Sequence, residues 1–332
     1  MGRFMKNYGV GIIGCGLIGH KRSNSLPNNC KLYGVSDLNI NNAKNLASKF
    51  KDIKIFGTSE ELIKDKNIDI VIISTLHNSL SSLANLAVLN NKHVLVEKPA
   101  ARNSGELLIT LENLKSSKSV VHVGFNHRYH RAFQKAKEII QSQKLGELMF
   151  IRGRYGHGAR LGYESEWRAN FELSGGGELI DQGPHLIDLA QWLFDKKLYF
   201  QSGKVCTYFW DMPVDDNAFM ILETENNQTA FFHVSCTEWK NTFSFEIYGR
   251  NGKLEISGLG GSYGVEKLKH YNMLPEMGPP ETYIYEFPMA DNSWELEMND
   301  FILEIEEKKD TNCGLKNAFE VLQIIDKAYG KI

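Results

Sequence analysis

Three groups of residues have the types and the spacing that binding and catalysis require. Gly14-Cys15-Gly16-Leu17-Ile18-Gly19 has the G-x-G-x-x-G spacing, in which the glycines allow a tight turn, the approach of a pyrophosphate and close helix packing. Glu97-Lys98-Pro99 puts an acid and a cation at the end of an apolar run. Asp181 and His185 stand four positions apart, so they would share one face of a helix.

The glycine turn predicts a dinucleotide site because of its surroundings. It follows a predicted strand and opens a predicted helix, whose free N–H groups and dipole would favour phosphates. Asp37 follows Gly19 after 18 residues, at the end of the next strand, where a carboxylate holds the adenosine ribose hydroxyls. No Arg or Lys immediately follows Asp37, so NAD is favoured over NADP. A structural turn without a cofactor is the weaker alternative.

Lys98 and the Asp181–His185 pair predict the chemistry of a secondary hydroxyl. A lysine that ends a parallel strand lies at the ligand-binding edge of the sheet, where its ammonium could polarise a reacting oxygen. A carboxylate beside an imidazole suits that imidazole as a general base. Such pairs are also common in structural helices, and Pro184 predicts a kink or a restart of this helix near Gly183. Glu97 could orient Lys98 or act as a structural cap.

The elements that must position these residues fall into two halves. Up to residue 125, apolar strands alternate with helical patterns, which predicts a doubly wound parallel sheet, an α/β fold. The predicted strands are Tyr8–Ile13, Lys31–Ser36, Ile68–Ser74, His93–Val96 and Ser119–Gly124, and the helices are Asn39–Phe50, Ser79–Asn90 and Ser104–Leu114.

The second half has a different pattern, in which several strands follow one another with short turns. This predicts an α+β domain with antiparallel strands between about 199 and 285. Helices are predicted over Arg131–Gln143, Glu178–Phe194, Trp294–Lys308 and Leu315–Tyr329, with a strand at Glu147–Tyr155 and a hairpin turn at Gly258–Gly264. We therefore predict a dinucleotide-binding Rossmann domain over 1–125 and a domain for substrate binding and oligomerisation over 126–332. The last helix, 315–329, is free to pack back on the first domain.

Composition excludes several classes of partner. A formal charge of -2 offers no basic field for nucleic acid, and no apolar run approaches the roughly 18 residues of a membrane helix. The five cysteines form no CxxC pair, which predicts reduced thiols in a cytoplasmic protein. No acid or cysteine nearby completes a ligand set around His122, His127 and His130, so no metal is expected.

A polar loop over 155–168 carries the candidate substrate contacts of the second half. Arginines pair with carboxylates or phosphates and aromatic rings stack on sugars or bases, so the loop suits an anionic sugar or a nucleotide-sugar. A solvated loop or an oligomer contact is equally compatible with this composition. The candidates in and beside this loop are Asn126, Arg154, His157, Arg160, Tyr163, Trp167 and Arg168.

Taken in order, these motifs resemble the glucose–fructose oxidoreductase, inositol dehydrogenase and rhizopine-catabolism (Gfo/Idh/MocA) family over nearly the whole chain. The resemblance rests on the glycine turn, Glu97-Lys98-Pro99, Gly124-Phe125-Asn126 and Gly175–Leu189. It implies a Rossmann domain, a second domain with a large open sheet, catalytic roles for Lys98, Asp181 and His185, and a cis Lys98–Pro99 bond. Cofactor contacts are expected at Gly14, Gly16, Leu17, Ile18, Gly19, Asp37, Ser74, Thr75, His77, Glu97 and Lys98.

Two stretches depart from the family pattern. Ser74-Thr75-Leu76-His77 stands where the family often has Thr-Pro with a nearby histidine, and Leu80 occupies the usual place of that histidine. His127 follows Gly-Phe-Asn where arginine is common. Cofactor contacts made through the backbone could survive the first of these changes.

The motifs and the resemblance together predict an NAD-dependent oxidoreductase. Its expected substrate is the secondary hydroxyl of a sugar, nucleotide-sugar or cyclitol, or the matching ketone. An open sheet in the second domain would favour a homodimer or homotetramer. An NAD-assisted glycoside hydrolase and a non-catalytic sensor of dinucleotide and sugar remain as alternatives. The intact Lys98, Asp181 and His185 argue against the sensor.

Overall fold

The first sheet of the protein is fully parallel and has six strands. A computed structural model describes residues 6–307 and 313–331; residues 1–5 of the predicted first domain, and residue 332, lie outside them. The strand order is β3-β2-β1-β4-β5-β6, and every neighbouring pair is parallel. The strands are β1 Tyr8–Ile13, β2 Cys30–Ser36, β3 Lys54–Ile55, β4 Ile70–Ile73, β5 His93–Glu97 and β6 Val121–Gly124.

Helices connect these strands, which confirms the predicted doubly wound α/β architecture. The central strands are buried on both faces, with Ile12, Ile72 and Leu95 inaccessible to solvent, and this is why they are apolar without alternation. The helices are α1 Leu17–Asn24, α2 Ile40–Ala47, α3 Ser59–Lys64, α4 His77–Leu89 and α5 Leu108–Lys115, with a short 3-10 helix at Ser104–Leu107 before the last. Among the described helices, none is long and apolar enough to cross a membrane.

The second sheet has eight strands in the order β14-β13-β12-β11-β7-β10-β9-β8. All pairs are antiparallel except β7 with β10, so the prediction of a large, mostly antiparallel sheet is confirmed. Its strands are β7 Leu148–Gly156, β8 Leu198–Cys206, β9 Asn217–Thr224, β10 Thr229–Ser235, β11 Thr242–Gly249, β12 Gly252–Ser257, β13 Glu266–Asn272 and β14 Glu281–Phe287. The helices of this part are α6 Arg131–Gln141, α7 Phe171–Ser174 and α8 Glu178–Phe194.

Two further helices follow the second sheet, α9 Ser293–Glu307 and α10 Leu315–Ala328. Lys308, the predicted last residue of α9, lies outside the described residues. Contacts divide the described chain into two compact units, 6–125 with 294–307 and 313–319, and 126–293 with 320–331. The α9 segment therefore belongs with the first unit and not with the predicted second domain, 126–332. The reason is apolar packing: Met298, Phe301 and Ile302 complete the core formed by β1, β2 and β4.

Helix α8 differs from its prediction in one respect. It is a single helix from Glu178 to Phe194 with Pro184 inside it, so the predicted restart near Gly183 is wrong. Proline removes one backbone donor, but nearly every residue of this helix is buried, and α8 packs on β7 and β10. Packing over this length outweighs one missing hydrogen bond, and Asp181 and His185 keep their helical spacing.

Candidate active site

The glycine turn has the geometry of a cradle for a ligand. Gly14 has φ +91°, and a Cβ on it would lie 2.5 Å from the Ser74 carbonyl oxygen. A Cβ on Gly19 would lie 2.2 Å from the Gly14 carbonyl oxygen, whereas one on Gly16 would meet no atom within 4 Å. The fold therefore requires the outer two glycines. The middle one faces open space, which fits the close approach of a pyrophosphate.

Asp37 joins the glycine turn to the end of β2. Its carboxylate accepts hydrogen bonds from the backbone N–H of Cys15 (2.7 Å) and of Asn39 (2.8 Å). Asn42 Nδ2 also donates to this carboxylate, at 3.4 Å. Because a carboxylate has about four acceptor sites, this partly exposed group keeps capacity for a ribose hydroxyl. Burial, with a smaller contribution from Asp37, raises the pKa of the Cys15 thiol to about 12, which keeps it neutral beside a phosphate. Leu38, fully exposed, offers apolar surface next to Asp37.

The turn after β4 supports the glycine turn from a neighbouring strand. The Ser74 hydroxyl donates to the Gly14 carbonyl oxygen at 2.7 Å. The Ser79 hydroxyl donates to Thr75 Oγ1 at 2.7 Å, and His77 is the buried first residue of α4. Leu80 is completely buried, as an apolar residue should be. Ser74 therefore acts on the cofactor site through the backbone of the glycine turn.

Glu97 is the partner of an arginine, which answers the question left open by the sequence. It accepts from Arg22 Nε at 2.7 Å, and Arg22 Nη1 donates to Glu297 at 2.5 Å. All three side chains are buried. Burial raises the pKa of Glu97, and the charge of Arg22 opposes that rise. The network holds the end of β5 to α1, and Lys98 follows directly, partly exposed and joined to Pro99 by a cis bond.

In the second unit, the start of α8 is capped by a residue from a distant part of the chain. The Asp215 carboxylate accepts from the backbone N–H groups of Gly177 (2.8 Å) and Leu179 (2.7 Å) and from the Tyr329 hydroxyl (2.7 Å). A Cβ on Gly177 would lie 1.9 Å from the Asp215 carbonyl oxygen, so that position requires glycine. Free N–H groups at a helix start need such acceptors, and this cap sets the position of the helix.

Asp181 and His185 lie on one face of α8 and are both buried. Asp181 accepts from Arg168 Nε at 2.9 Å, and the charge of Asp181 raises the pKa of the Arg168 guanidinium. The guanidinium also lies over the Trp167 ring, 4.5 Å from its centroid. Of the predicted loop residues, the structure therefore brings Arg168 and Trp167 to the Asp–His pair.

The imidazole of His185 stacks face to face on another histidine. The ring centroids of His185 and His127 are 3.6 Å apart, with an interplanar angle of 17°. His127 contacts the Asn126 amide oxygen through Nδ1 (3.2 Å) and the Tyr155 hydroxyl through Nε2 (3.2 Å). Burial raises the pKa of Tyr155 well above its ordinary value, so its hydroxyl remains a donor.

A second contact joins the loop after β7 to the first turn of α8. The backbone N–H of Ala159 donates to His157 Nδ1 (3.0 Å), so Nε2 carries the proton and faces a Glu178 carboxyl oxygen at 3.4 Å. Burial raises the pKa of Glu178, against the effect of His157. Tyr163 packs edge-on against His157, with 5.8 Å between centroids. His157 and Tyr163 thus belong to the same cluster as α8.

Two predicted contacts lie apart from this cluster. Arg160 is mostly exposed and pairs with Glu166 at 2.7 Å. Arg154, on β7, is half exposed and lies 3.9 Å from Glu238. With Arg168 bound to Asp181, each loop arginine has a carboxylate partner, which removes much of the support for an anionic substrate.

Sequence reasoning missed several residues of the site. The sequence singles out His127 as a rejected metal ligand and as a departure from the family pattern, but it predicts no contact with His185. Glu178 and Asp215 gave no signal, because their roles depend on contacts with distant residues. Among the described residues, no group of three His, Cys, Asp or Glu side chains could hold a metal ion. His122 instead pairs with Glu304 at 2.8 Å, and His130 with Glu266 at 3.0 Å.

Comparisons with known proteins agree with this fold. The oxidoreductase family with an NAD-binding Rossmann fold matches residues 8–125, and the GFO/IDH/MocA C-terminal domain matches residues 133–255. Inositol 2-dehydrogenase of Salmonella typhimurium is 26% identical over 79% of this chain and 77% of its own. Myo-inositol 2-dehydrogenase of Thermotoga maritima is 28% identical over 59% of this chain and 58% of its own.

Solved structures resemble the whole chain. Levoglucosan dehydrogenase in complex with NADH and L-sorbose has a TM-score of 0.85 at 20% identity, covering 98% of this chain and 97% of that one. GenD2 from gentamicin A biosynthesis, in complex with NAD, has a TM-score of 0.83 at 18% identity, covering 100% and 96%. At these identities the likeness concerns the fold.

Fold and cofactor cradle define the class: an NAD-binding oxidoreductase with a Rossmann domain and a second, α+β domain. More narrowly, since the matched regions of both domains belong to one family, the chain is a member of the Gfo/Idh/MocA family.

Proposed function

We propose that the protein is an NAD-dependent dehydrogenase of a secondary hydroxyl on a sugar, nucleotide-sugar or cyclitol, or a reductase of the matching ketone. The observation that carries the proposal is the buried Asp181–His185 pair on α8, in which Arg168 holds the carboxylate and His127 holds the imidazole. Such a pair suits a proton acceptor. The names of the inositol and levoglucosan dehydrogenases support the substrate class.

His185, Lys98 and Asp181 have proposed tasks in the oxidation of the hydroxyl. When bound, NAD accepts the hydride from the carbon. His185 accepts the hydroxyl proton on a ring nitrogen and becomes an imidazolium. Lys98 donates a hydrogen bond to the same oxygen and stabilises its developing negative charge. Asp181, paired with Arg168, orients His185 or accepts a hydrogen bond from the substrate.

The residues of the first unit would hold the cofactor through backbone groups and one carboxylate. The open space at Gly16 would take the pyrophosphate, and Asp37 the adenosine ribose hydroxyls. In the second unit, the pairing of the loop arginines with acids favours a neutral polyhydroxylated ring over a phosphorylated one.

The test is NADH formation with a panel of myo-inositol and its isomers, neutral aldoses, anhydrosugars, sugar phosphates and nucleotide-sugars. His185→Ala is compared with His233→Ala, a half-buried histidine on β10 that stacks on Phe219 and has no proposed catalytic task. We expect NADH from a neutral member of the panel, at least a hundredfold less of it with His185→Ala, and little change with His233→Ala.

Three outcomes would contradict parts of the proposal. Full activity of His185→Ala would remove the assigned base. Activity confined to sugar phosphates would contradict the preference for a neutral ring. Cleavage of glycosides by the NAD-loaded protein without net NADH would replace the dehydrogenase with a hydrolase.

A further inference from the structure

His127 occupies an unusual place for a titratable side chain, stacked on the proposed base. It is buried and lies in the 3-10 turn Asn126–Tyr129, which comes directly after β6. Its ring covers the His185 ring at 3.6 Å with a 17° tilt. Only a near-parallel overlap gives this distance, so the plane of His185 is defined by the plane of His127.

Both ring nitrogens of His127 contact a neighbouring polar group. The Asn126 side chain donates through Nδ2 to Ser293 Oγ at 3.0 Å, so its oxygen faces His127 Nδ1 and accepts from it. The other ring nitrogen, Nε2, faces the Tyr155 hydroxyl at 3.2 Å. The Tyr155 hydroxyl can either donate to this nitrogen or accept from it. The two contacts together fix the position and the rotation of the His127 ring.

We infer that His127 is a positioning residue for His185, an inference that rests on the proposed function. The aromatic face of His127 fixes the ring plane of His185. When His185 takes the substrate proton, the same face stabilises the imidazolium, as aromatic rings stabilise cations. A permanent cation at position 127 would instead oppose protonation of His185.

Other titratable groups face the two rings and enter the same balance. Asp181 lies on α8 one turn before His185 and is held by Arg168. Tyr155 on β7 contacts His127 and interacts with Tyr263. His130 approaches His127 edge-on at 5.4 Å and pairs with Glu266 of β13. The carboxylates favour positive charge on a nearby imidazole.

Three substitutions separate the aromatic face from the hydrogen bonds. His127→Phe and His127→Leu both remove the contacts to Asn126 and Tyr155, but only phenylalanine keeps an aromatic face over His185. His127→Arg keeps donors and adds a fixed charge. His233→Leu removes a histidine from a stack outside the site, at 4.2 Å from Phe219, and serves as the matched control.

The first readout needs no substrate. Histidine ring signals of labelled protein are titrated by NMR, and the His185 signal is assigned by its absence in His185→Ala. We expect His127→Arg to move the midpoint of the His185 titration down by about one pH unit or more, because a nearby cation disfavours the imidazolium. The His185 midpoint of His127→Phe should stay near the wild-type value, and that of His127→Leu should lie between the values for His127→Phe and His127→Arg. His233→Leu should leave the His185 midpoint unchanged.

The second readout is kcat/KM for NADH formation with myo-inositol, or with the active panel member should myo-inositol be inert. We expect His127→Phe to exceed His127→Leu by about five- to thirtyfold, with equal KM for NAD. The acid limb of the His127→Arg profile should move to lower pH. Thermal unfolding shows whether each variant is folded. If His127→Arg does not fold, the comparison of His127→Phe with His127→Leu decides the question.

The outcomes distinguish this inference from the proposed function. Two results together would overturn the role of His127 while leaving the proposed function intact. These are equal kcat/KM for His127→Phe and His127→Leu, and a His185 titration midpoint that is unmoved in His127→Arg or, should that variant not fold, is the same in His127→Phe and His127→Leu. An active His185→Ala would instead remove the proposed base, whatever the titrations show.

Discussion

The glycine turn allows ligand binding and folding to be separated by two substitutions of the same size. Gly16→Ala puts a methyl group into space with no atom within 4 Å, and Gly19→Ala puts one 2.2 Å from the Gly14 carbonyl oxygen. The first change should spare the fold and hinder the pyrophosphate. The second should force α1 away from the turn after β1.

The sizes of the two effects follow from these distances. Overpacking against a backbone atom costs typically about 1–3 kcal/mol, so we expect Gly19→Ala to lower the free energy of unfolding by about 2 kcal/mol. Gly16 has φ -77°, which alanine also adopts, so its unfolding should change by less than about 1 kcal/mol. Loss of the close phosphate approach should weaken NAD binding tenfold or more, about 1.4 kcal/mol.

Urea unfolding without cofactor and calorimetric titration with NAD measure the two quantities independently. Wild-type affinity in Gly16→Ala, with an intact fold, would refute the assignment of this cradle to the pyrophosphate. A loss of stability in Gly16→Ala equal to that in Gly19→Ala would show that the open space is filled by the protein itself.

Three other predictions concern buried charges and the open sheet. Arg22→Met leaves Glu97 and Glu297 buried without their cation and should cost about 3–5 kcal/mol in urea unfolding; a cost under 1 kcal/mol would contradict the pairing. Although burial opposes it, the side chains of Cys313, Glu304 (2.8 Å) and Glu297 (3.8 Å) hold the pKa of His122 well above its usual value. This stabilisation is complete below about pH 6.5 and is lost as the pH rises through the folded-state pKa, so His122→Gln should flatten the decline of stability above pH 6.5, and an unchanged slope would exclude the charged form. Phe231 on β10 is 41% exposed, and its neighbour Ile221 on β9 is 38% exposed, so Phe231→Asp puts a charge on an apolar face of the second sheet. If this face forms the expected homo-oligomer, light scattering should show monomers for Phe231→Asp. A monomeric wild type would contradict the expected assembly.

The architecture of both halves could be predicted because burial leaves a periodic record in the sequence. β1, β4 and β5 are continuous apolar runs, since both faces of a parallel sheet are covered. β3 and α3 were missed because two strand residues and six helix residues are too short to show a period. The interruption predicted at Pro184 failed for the opposite reason: a local rule was overridden by packing along all of α8.

The site could be predicted only where its chemistry is encoded by neighbours in the chain. The glycine spacing and the Asp181–His185 spacing are local, so both could be read directly. The partners that define their geometry come from other elements: Arg22 and Glu297 for Glu97, Asp215 for the start of α8, and His127 for His185. No spacing rule relates such residues, because the fold alone brings them together.

The departures from the family pattern therefore carry most of the information about this particular chain. Residues that match the pattern predict what the whole family does, whereas His127 alters the surroundings of the proposed base. The stacked ring of His127 places no permanent charge beside the His185 imidazole. A fixed cation in its place would lower the basicity of His185. The pH range of proton abstraction should therefore extend less far to the acid side in the natural sequence than in His127→Arg.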